Sequence, residues 1–143
     1  MEIKIIHPGT PKYEQMLELR DVVLRRPLGM QLDRTSLGKE DTDFLIGAFE
    51  NNAMIGCVIL TPQTTSTLKL RQMAVSAEWQ GKGIGSQIVR WAEMFAGEKG
   101  FTRISMHARK YAIPFYASLG YTTEGEEFTE VGIPHYAMHK TLG

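Results

Sequence analysis

A disulfide, a membrane span and a strong electrostatic field are all missing from this sequence. Cys57 is the single cysteine among 143 residues, so no disulfide can close within the chain. No apolar run approaches the roughly 18 residues of a membrane-spanning helix. Sixteen basic side chains balance sixteen acidic ones, and a chain without net charge projects no overall field toward nucleic acid or an anionic membrane. His7, His107 and His139 fall at no metal-ligand spacing. The opening "MEIKIIHPGT" sets a lysine within a short strand-like alternation and lacks the apolar stretch of a signal peptide. A cytoplasmic protein with no nucleic-acid partner, no membrane partner and no metal is the expectation.

What is present suits a globular fold. With 43% hydrophobic and 22% charged residues and no low-complexity tract, the chain can fill a core and does not read as disordered. Its length fits one domain over residues 1–143, burying roughly two-thirds of the unfolded surface. Residues 2–6 alternate as a strand, and "HPGTP" breaks them before a helix that starts near Pro11. Tyr13, Met16, Leu17, Val23 and Leu24 recur at helical spacing until Pro27 and Gly29 stop the helix. Residues 27–42 read as a loop or short helix, either a plain connector or the wall of a substrate pocket. "DFLIGAF" and "AMIGCVILT" are strands joined by "ENNA", whose Asn51 and Asn52 tolerate the positive φ of a hairpin turn. Cys57, inside the second of these, reads as a buried structural thiol in preference to a nucleophile.

The next apolar series changes phase. Leu68 and Leu70 share one side and Met73 and Val75 the other, which one extra residue would cause, so a β-bulge is predicted near Arg71 and Gln72. A strand buried on both faces, where alternation has no force, is the alternative. Ile84, Ile88, Ala92 and Phe95 then mark one face of a helix that ends at Lys99 and Gly100. "FTRISMHA" follows as a strand, "YAIPFYASLG" as a short helix capped by Gly120, and "EEFTEVGIPHYAMHKTL" as one or two closing strands. Helices set between sheet-rich segments imply a mixed α/β domain in three layers.

Gly81, Gly83 and Gly85 occupy alternate positions between a strand end and a helix start, a density that is costly in a helix without a reason. A helix N-terminus carries unpaired amides and roughly half a positive charge, so glycines that admit an anion make it a phosphate cradle. Lys82 and Ser86 add a charge and a hydroxyl. A merely flexible turn is the alternative. Spacing decides among phosphate ligands: a Walker loop fails because position 76 is not glycine and Lys82 is followed by Gly83. A dinucleotide fingerprint is a weak match, since Ser86 stands where its third glycine would be and "RISMHA" holds no acidic residue about twenty positions on.

"QGKGIG", Gln80 to Gly85, with "MAV" before it, resembles the Arg/Gln-x-x-Gly-x-Gly/Ala motif of the GNAT superfamily of N-acetyltransferases. "AIPFYASLGY", Ala112 to Tyr121, resembles that family's Ala-x-x-Phe-Tyr-x-x-x-Gly-Phe/Tyr helix, and "GIPHYAMHK" its closing strand. The match runs from Leu68 to Tyr121, while residues 1–42 agree in element order only. The resemblance implies the acyl-CoA N-acyltransferase (GNAT) fold, a mixed, mostly antiparallel central sheet flanked by helices. It implies an acyltransferase that moves acetyl from acetyl-coenzyme A, its co-substrate, directly to a primary amine of a small molecule or peptide in a ternary complex. Homodimers through C-terminal strand edges are a further implication. A coenzyme A or acyl-CoA binding sensor without turnover is the alternative.

Roles follow from the same resemblance. The amide of Met73 polarises the acetyl oxygen, and Ala74 and Val75 continue the strand that pairs with the pantetheine arm. Gln80, Gly81, Lys82, Gly83, Ile84, Gly85 and Ser86 cradle the pyrophosphate, and Ala112 touches the cofactor from the last helix. Tyr116 is the general acid for the departing thiolate. Full proton transfer from a phenol of pKa about 10 to a thiolate of about 8.5 loses about 2 kcal/mol, so hydrogen bonding is its main contribution. Where many members carry a cofactor-touching Asn this chain has Arg109, which either meets a cofactor phosphate or lies solvated at a strand end. The base is left among His135 and Glu130 first, then Glu127, Asp41 and Asp43, acting directly or through water.

Overall fold

The computed structural model describes residues 1–30 and 42–143; most of the expected pocket wall, and the candidate base Asp41, lie outside the described residues. Seven strands form one sheet in the order β1-β2-β3-β4-β5-β7-β6. β1 (Glu2–Ile6), β2 (Phe44–Glu50), β3 (Ala53–Pro62) and β4 (Thr67–Val75) are successive antiparallel neighbours. β4 then lies parallel to β5 (Arg103–Arg109), the connection carrying helix α2 (Ile84–Glu98). β7 (Ile133–Thr141) pairs antiparallel with β5 on one side and with the edge strand β6 (Thr122–Glu130) on the other. The sheet is thus mixed and mostly antiparallel.

Alternation along the strands divides the core in two. Val58, Leu60, Leu68, Leu70, Ile104 and Met106 face α2, where they meet Ile84, Ile88 and Ala92. Leu45, Phe49, Cys57, Ile59 and Ala74 face helix α1 (Pro11–Arg20) and its Tyr13, Met16 and Leu17. The short helix α3 (Ile113–Ser118) adds Tyr116 to the α2 side. Three layers result.

Local chemistry explains the ends of these elements. Thr10 caps α1, its side chain accepting from the Tyr13 amide at 3.3 Å, and Pro11 follows at the first helical position. Helical winding continues past Arg20 as predicted through Leu24, but as a π-turn, Asp21–Arg25, and then a 3₁₀ turn, Arg26–Leu28, closed by Gly29 at φ 71°. Asn51 and Asn52 adopt φ 50° and 66° between β2 and β3, the left-handed pair that a two-residue hairpin demands. No helix among the described residues is long and apolar enough to cross a membrane.

The phase change in β4 is a bulge. Cys57 lies opposite Ala74 and Ile59 opposite Arg71, so a two-residue step on β3 faces a three-residue step on β4. Gln72 takes up the excess at φ 56°. Its carbonyl accepts from the Cys57 thiol at 3.6 Å, which gives the lone cysteine a structural contact at the irregularity. Met73 and Val75 therefore pack on the same α2-side core as Leu68 and Leu70, while Ala74 turns toward α1. Gln72→Val would place a β-branched residue at φ 56° and strain the bulge that keeps Met73 and Val75 on that core. The expected cost is about 1–2 kcal/mol, read as a lower urea midpoint. An unchanged midpoint would contradict this account of the bulge.

Candidate active site

β4 and β5 pair only from Thr67–Leu70 with Arg103–Met106. Beyond that point Arg71–Val75 stays bound to β3 and His107–Arg109 to β7, so the sheet splits along its middle. The bulge begins at the residue after the last pair, where an extra residue bends the strand. A cleft of about 950 Å³ opens in the split, reached from both faces of the sheet.

On the α2 face the cleft is lined by Met73 and Val75 and by the loop that follows them, with Ala74 between them turned to the α1 side. The Gln80 side-chain amide donates to the Val75 carbonyl at 2.9 Å and ties that loop to the strand. Gly81 and Gly83 sit at φ 76° and 80°, and a Cβ on either would have no atom within 4 Å. The backbone therefore requires glycine at both, and the space beside them is open. Gly83 caps α2 without a side-chain hydrogen bond, and Gln87 is the residue whose amide reaches its carbonyl, at 3.2 Å. Among the described residues the amides of Ile84, Gly85 and Ser86 are thus the unpaired donors of the helix start. Gly85 has a different reason: a Cβ there would lie 3.1 Å from the Phe115 ring, so it lets α3 pack against α2. Lys82 is placed over the Trp79 ring at 5.1 Å. Of the expected loop residues it alone does not line the cleft.

Ala112 and Tyr116 bring α3 to the same side. Tyr116 is 6% exposed and packs edge-on against Phe115 and Tyr121, with ring centroids 4.9 and 6.0 Å away. Among the described residues its hydroxyl has no hydrogen-bond partner. Burial first, and then the nearby Tyr111, push its pKa well above the ordinary tyrosine value. It is therefore a neutral donor facing the cleft.

The opposite face carries different chemistry. Leu70, Met106 and Ala108 belong to the α2-side core, so the alternating Arg71, His107 and Arg109 point to the α1 side. His135 stands opposite Arg109 in the β5–β7 register and is 3% exposed. Its Nδ1 is 2.8 Å from the Ile133 carbonyl, an acceptor only, so Nδ1 carries a hydrogen. Nε2 is left 3.6 Å from Glu130 Oε2, and Glu130 Oε1 lies 3.0 Å from His107 Nδ1. The Phe128 ring stacks on His135 and meets His107 edge-on. The two leading base candidates are thus one unit. Glu127 instead pairs with Lys110 at 3.0 Å, Asp43 is buried against Arg71 at 3.2 Å, and neither lines the cleft.

Arg109 has a neighbourhood unlike the α2 loop: it donates to the Leu24 carbonyl and to the Tyr111 hydroxyl, both at 3.4 Å. Sequence reasoning missed Arg25, Arg71 and His107, all of which line the cleft. Arg71 was within reach, since it adjoins the predicted bulge. Arg25 was not, because the π-turn that presents it to Gln72, at 3.1 Å, leaves no mark in the spacing.

Comparison with known proteins agrees with this geometry. Residues 14–142 match the family model described as an acetyltransferase (GNAT) domain. YitI of Bacillus subtilis, an uncharacterized N-acetyltransferase, is 28% identical over 149 residues, covering 99% of this chain and 97% of that one. YyaT of the same organism, an uncharacterized protein, is 37% identical over 76 residues, which are 53% of this chain and 51% of YyaT. A crystallised N-acetyltransferase candidate from Lactobacillus plantarum superposes with a TM-score of 0.86 at 26% identity over 99% of both chains. A GNAT family acetyltransferase from Elizabethkingia anophelis with acetyl-CoA bound gives a TM-score of 0.75 at 21% identity, over 99% of this chain and 97% of that one. The split sheet, the glycine-led helix and a family match over nearly its whole length show that this chain is an acyltransferase belonging to the GNAT acetyltransferase family.

Proposed function

We propose that this acyltransferase moves the acetyl group of acetyl-CoA directly to a primary amine, with the donor on the α2 face and the acceptor on the α1 face. What carries the reading is the placement of a neutral tyrosine and a carboxylate-linked histidine on the two sides of one split in the sheet. The open space at Gly81 and Gly83 and the unpaired amides of Ile84, Gly85 and Ser86 suit a pyrophosphate. Acetyl-CoA supplies an activated acyl carbon and a thiolate leaving group. The polar backbone of Met73 and Val75, re-aimed by the bulge, lines the route between loop and split. A pre-aimed amide at Met73 would stabilise charge on the acetyl oxygen without reorganisation.

Proton handling falls to two groups. As the nitrogen–carbon bond forms and the carbon–sulfur bond breaks, His135 Nε2 takes the amine's proton, and Glu130 stabilises the imidazolium that results. Tyr116 hydrogen-bonds the sulfur. Its raised pKa makes complete proton loss still less favourable than for an ordinary phenol, so its role is a hydrogen bond to the departing thiolate, which takes its proton from solvent. Direct transfer in a ternary complex requires both faces to be filled at once, and the cleft connects them.

Thiol release from acetyl-CoA with a panel of amines, with the N-acetyl product identified by mass, tests the reaction. Coenzyme A binding with no release to any amine would contradict it. Tyr116→Phe is expected to lower kcat about 100-fold with acetyl-CoA affinity nearly intact, and the wild type to show no loss of activity from tyrosine ionisation up to about pH 10, because burial raises that group. His135→Asn should reduce kcat/KM for the amine about 100-fold at an unaltered acetyl-CoA Kd; full activity would remove it as the base. Gly83→Val, which places a β-branched residue at φ 80°, should weaken coenzyme A binding at least about tenfold through the lost cradle. Calorimetry showing equal affinity in a folded variant would end the cradle reading.

A further inference from the structure

Three guanidinium groups meet in the acceptor half of the cleft from separate parts of the chain. Arg25 comes from the π-turn after α1, Arg71 from the edge of the bulge and Arg109 from the end of β5. Among the described residues only Arg71 has a carboxylate partner, Asp43 at 3.2 Å. Arg25 donates to a neutral amide, Gln72 Oε1, at 3.1 Å, and Arg109 spends its two long contacts on a carbonyl and a phenol. Gathering cations without matching anions is unfavourable where solvent is partly excluded. Burial, and then the charges of Arg20, Arg109 and Arg71, lower the Arg25 pKa from its ordinary value. Part of that lowering is repulsion within the cluster, which the Asp21 carboxylate offsets in part. Across the split from Arg71, and beside Arg109 in the β5–β7 register, stands the opposite sign, Glu130 with His107 and His135.

Building on the acetyltransferase reading, we propose that Arg25, Arg71 and Arg109 bind an anionic group of the acceptor, so that the substrate is an amine bearing its own carboxylate or phosphoryl group. Planar guanidinium forks suit both groups through paired, charge-assisted hydrogen bonds. Such a molecule would relieve the repulsion at one end and set its nitrogen toward Glu130 and His135 at the other. A polyamine or aminoglycoside would instead add positive charge beside three arginines. The arginines also face α1, whereas the glycine loop and the start of α2 lie on the other side of the sheet. The cluster therefore serves the acceptor, and Arg109 changes from a cofactor contact to an acceptor contact.

The test uses matched pairs on the full chain: an α-amino acid against its carboxamide, and an aminoalkyl phosphonate against the alkylamine of the same length, with spermidine as a cationic control. The anionic member of each pair should have a kcat/KM at least about tenfold higher, as expected for hydrogen bonds to charged groups. Arg25→Gln should erase that preference by raising the amine KM while the acetyl-CoA KM stays constant, and Arg25→Lys should restore part of it. Circular dichroism confirms that each variant is folded. Equal or better use of the amides, alkylamine or spermidine overturns the proposal, as does an Arg25→Gln defect that falls on the acetyl-CoA KM. If no amine releases thiol, the acetyltransferase reading fails separately. Saturable binding of the aminoalkyl phosphonate to the coenzyme A-loaded protein, lost in Arg25→Gln, would then still support the anion site, and its absence would overturn it.

Discussion

The parallel pairing of β4 with β5 stops after Leu70 and Met106, and the site depends on that stop. A sheet interior normally satisfies each backbone donor and acceptor on both sides of a strand. Here Gln72, at φ 56°, adds a residue to β4, so that the strand keeps its bonds to β3 and leaves β5. The polar backbone edges exposed in the split are what an extended amide-containing arm could pair with, as another strand would. The same extra residue returns Met73 and Val75 to the α2-side core. One local irregularity therefore opens the cleft and keeps the core continuous.

Because the opening lies within a sheet, it joins two environments that the sheet otherwise separates. The α2 side has unpaired helix amides, two left-handed glycines and a buried, neutral tyrosine. The α1 side has three arginines and a histidine–glutamate–histidine group ordered around Phe128. The first suits a diphosphate and a sulfur leaving group, the second an amine whose proton must be removed. In the proposed direct transfer each reactant would enter from its own face, and the reacting atoms would meet in the split. The π-turn after α1 contributes by carrying Arg25 to the bulge, where Gln72 receives it.

Much of this was legible along the chain, for identifiable reasons. The bulge showed as a phase slip between Leu70 and Met73, since side chains alternate with a period of two and one extra residue must leave a trace. Asn51–Asn52 announced a hairpin, and Pro11 and Gly100 bounded helices. The glycine loop was visible as a dense break before a helix, but its three glycines had to be separated in space: Gly81 and Gly83 hold positive φ beside open space, and Gly85 makes room for Phe115. Lys82, plausible by position, is directed to Trp79.

What the sequence by itself determined is local: strand phase, helix faces, the left-handed positions, and the motif pairing of "QGKGIG" with "AIPFYASLGY" that marks the family. These depend on residues within a few positions of each other, where backbone geometry maps spacing onto direction. Tertiary structure alone decided that Glu130 joins His135 and His107, and that Arg25, Arg71 and Arg109 line one cleft. Those groups are brought together by strand register and by the place where two strands part, quantities set by the packing of the whole sheet between its helices. No spacing along the chain encodes them.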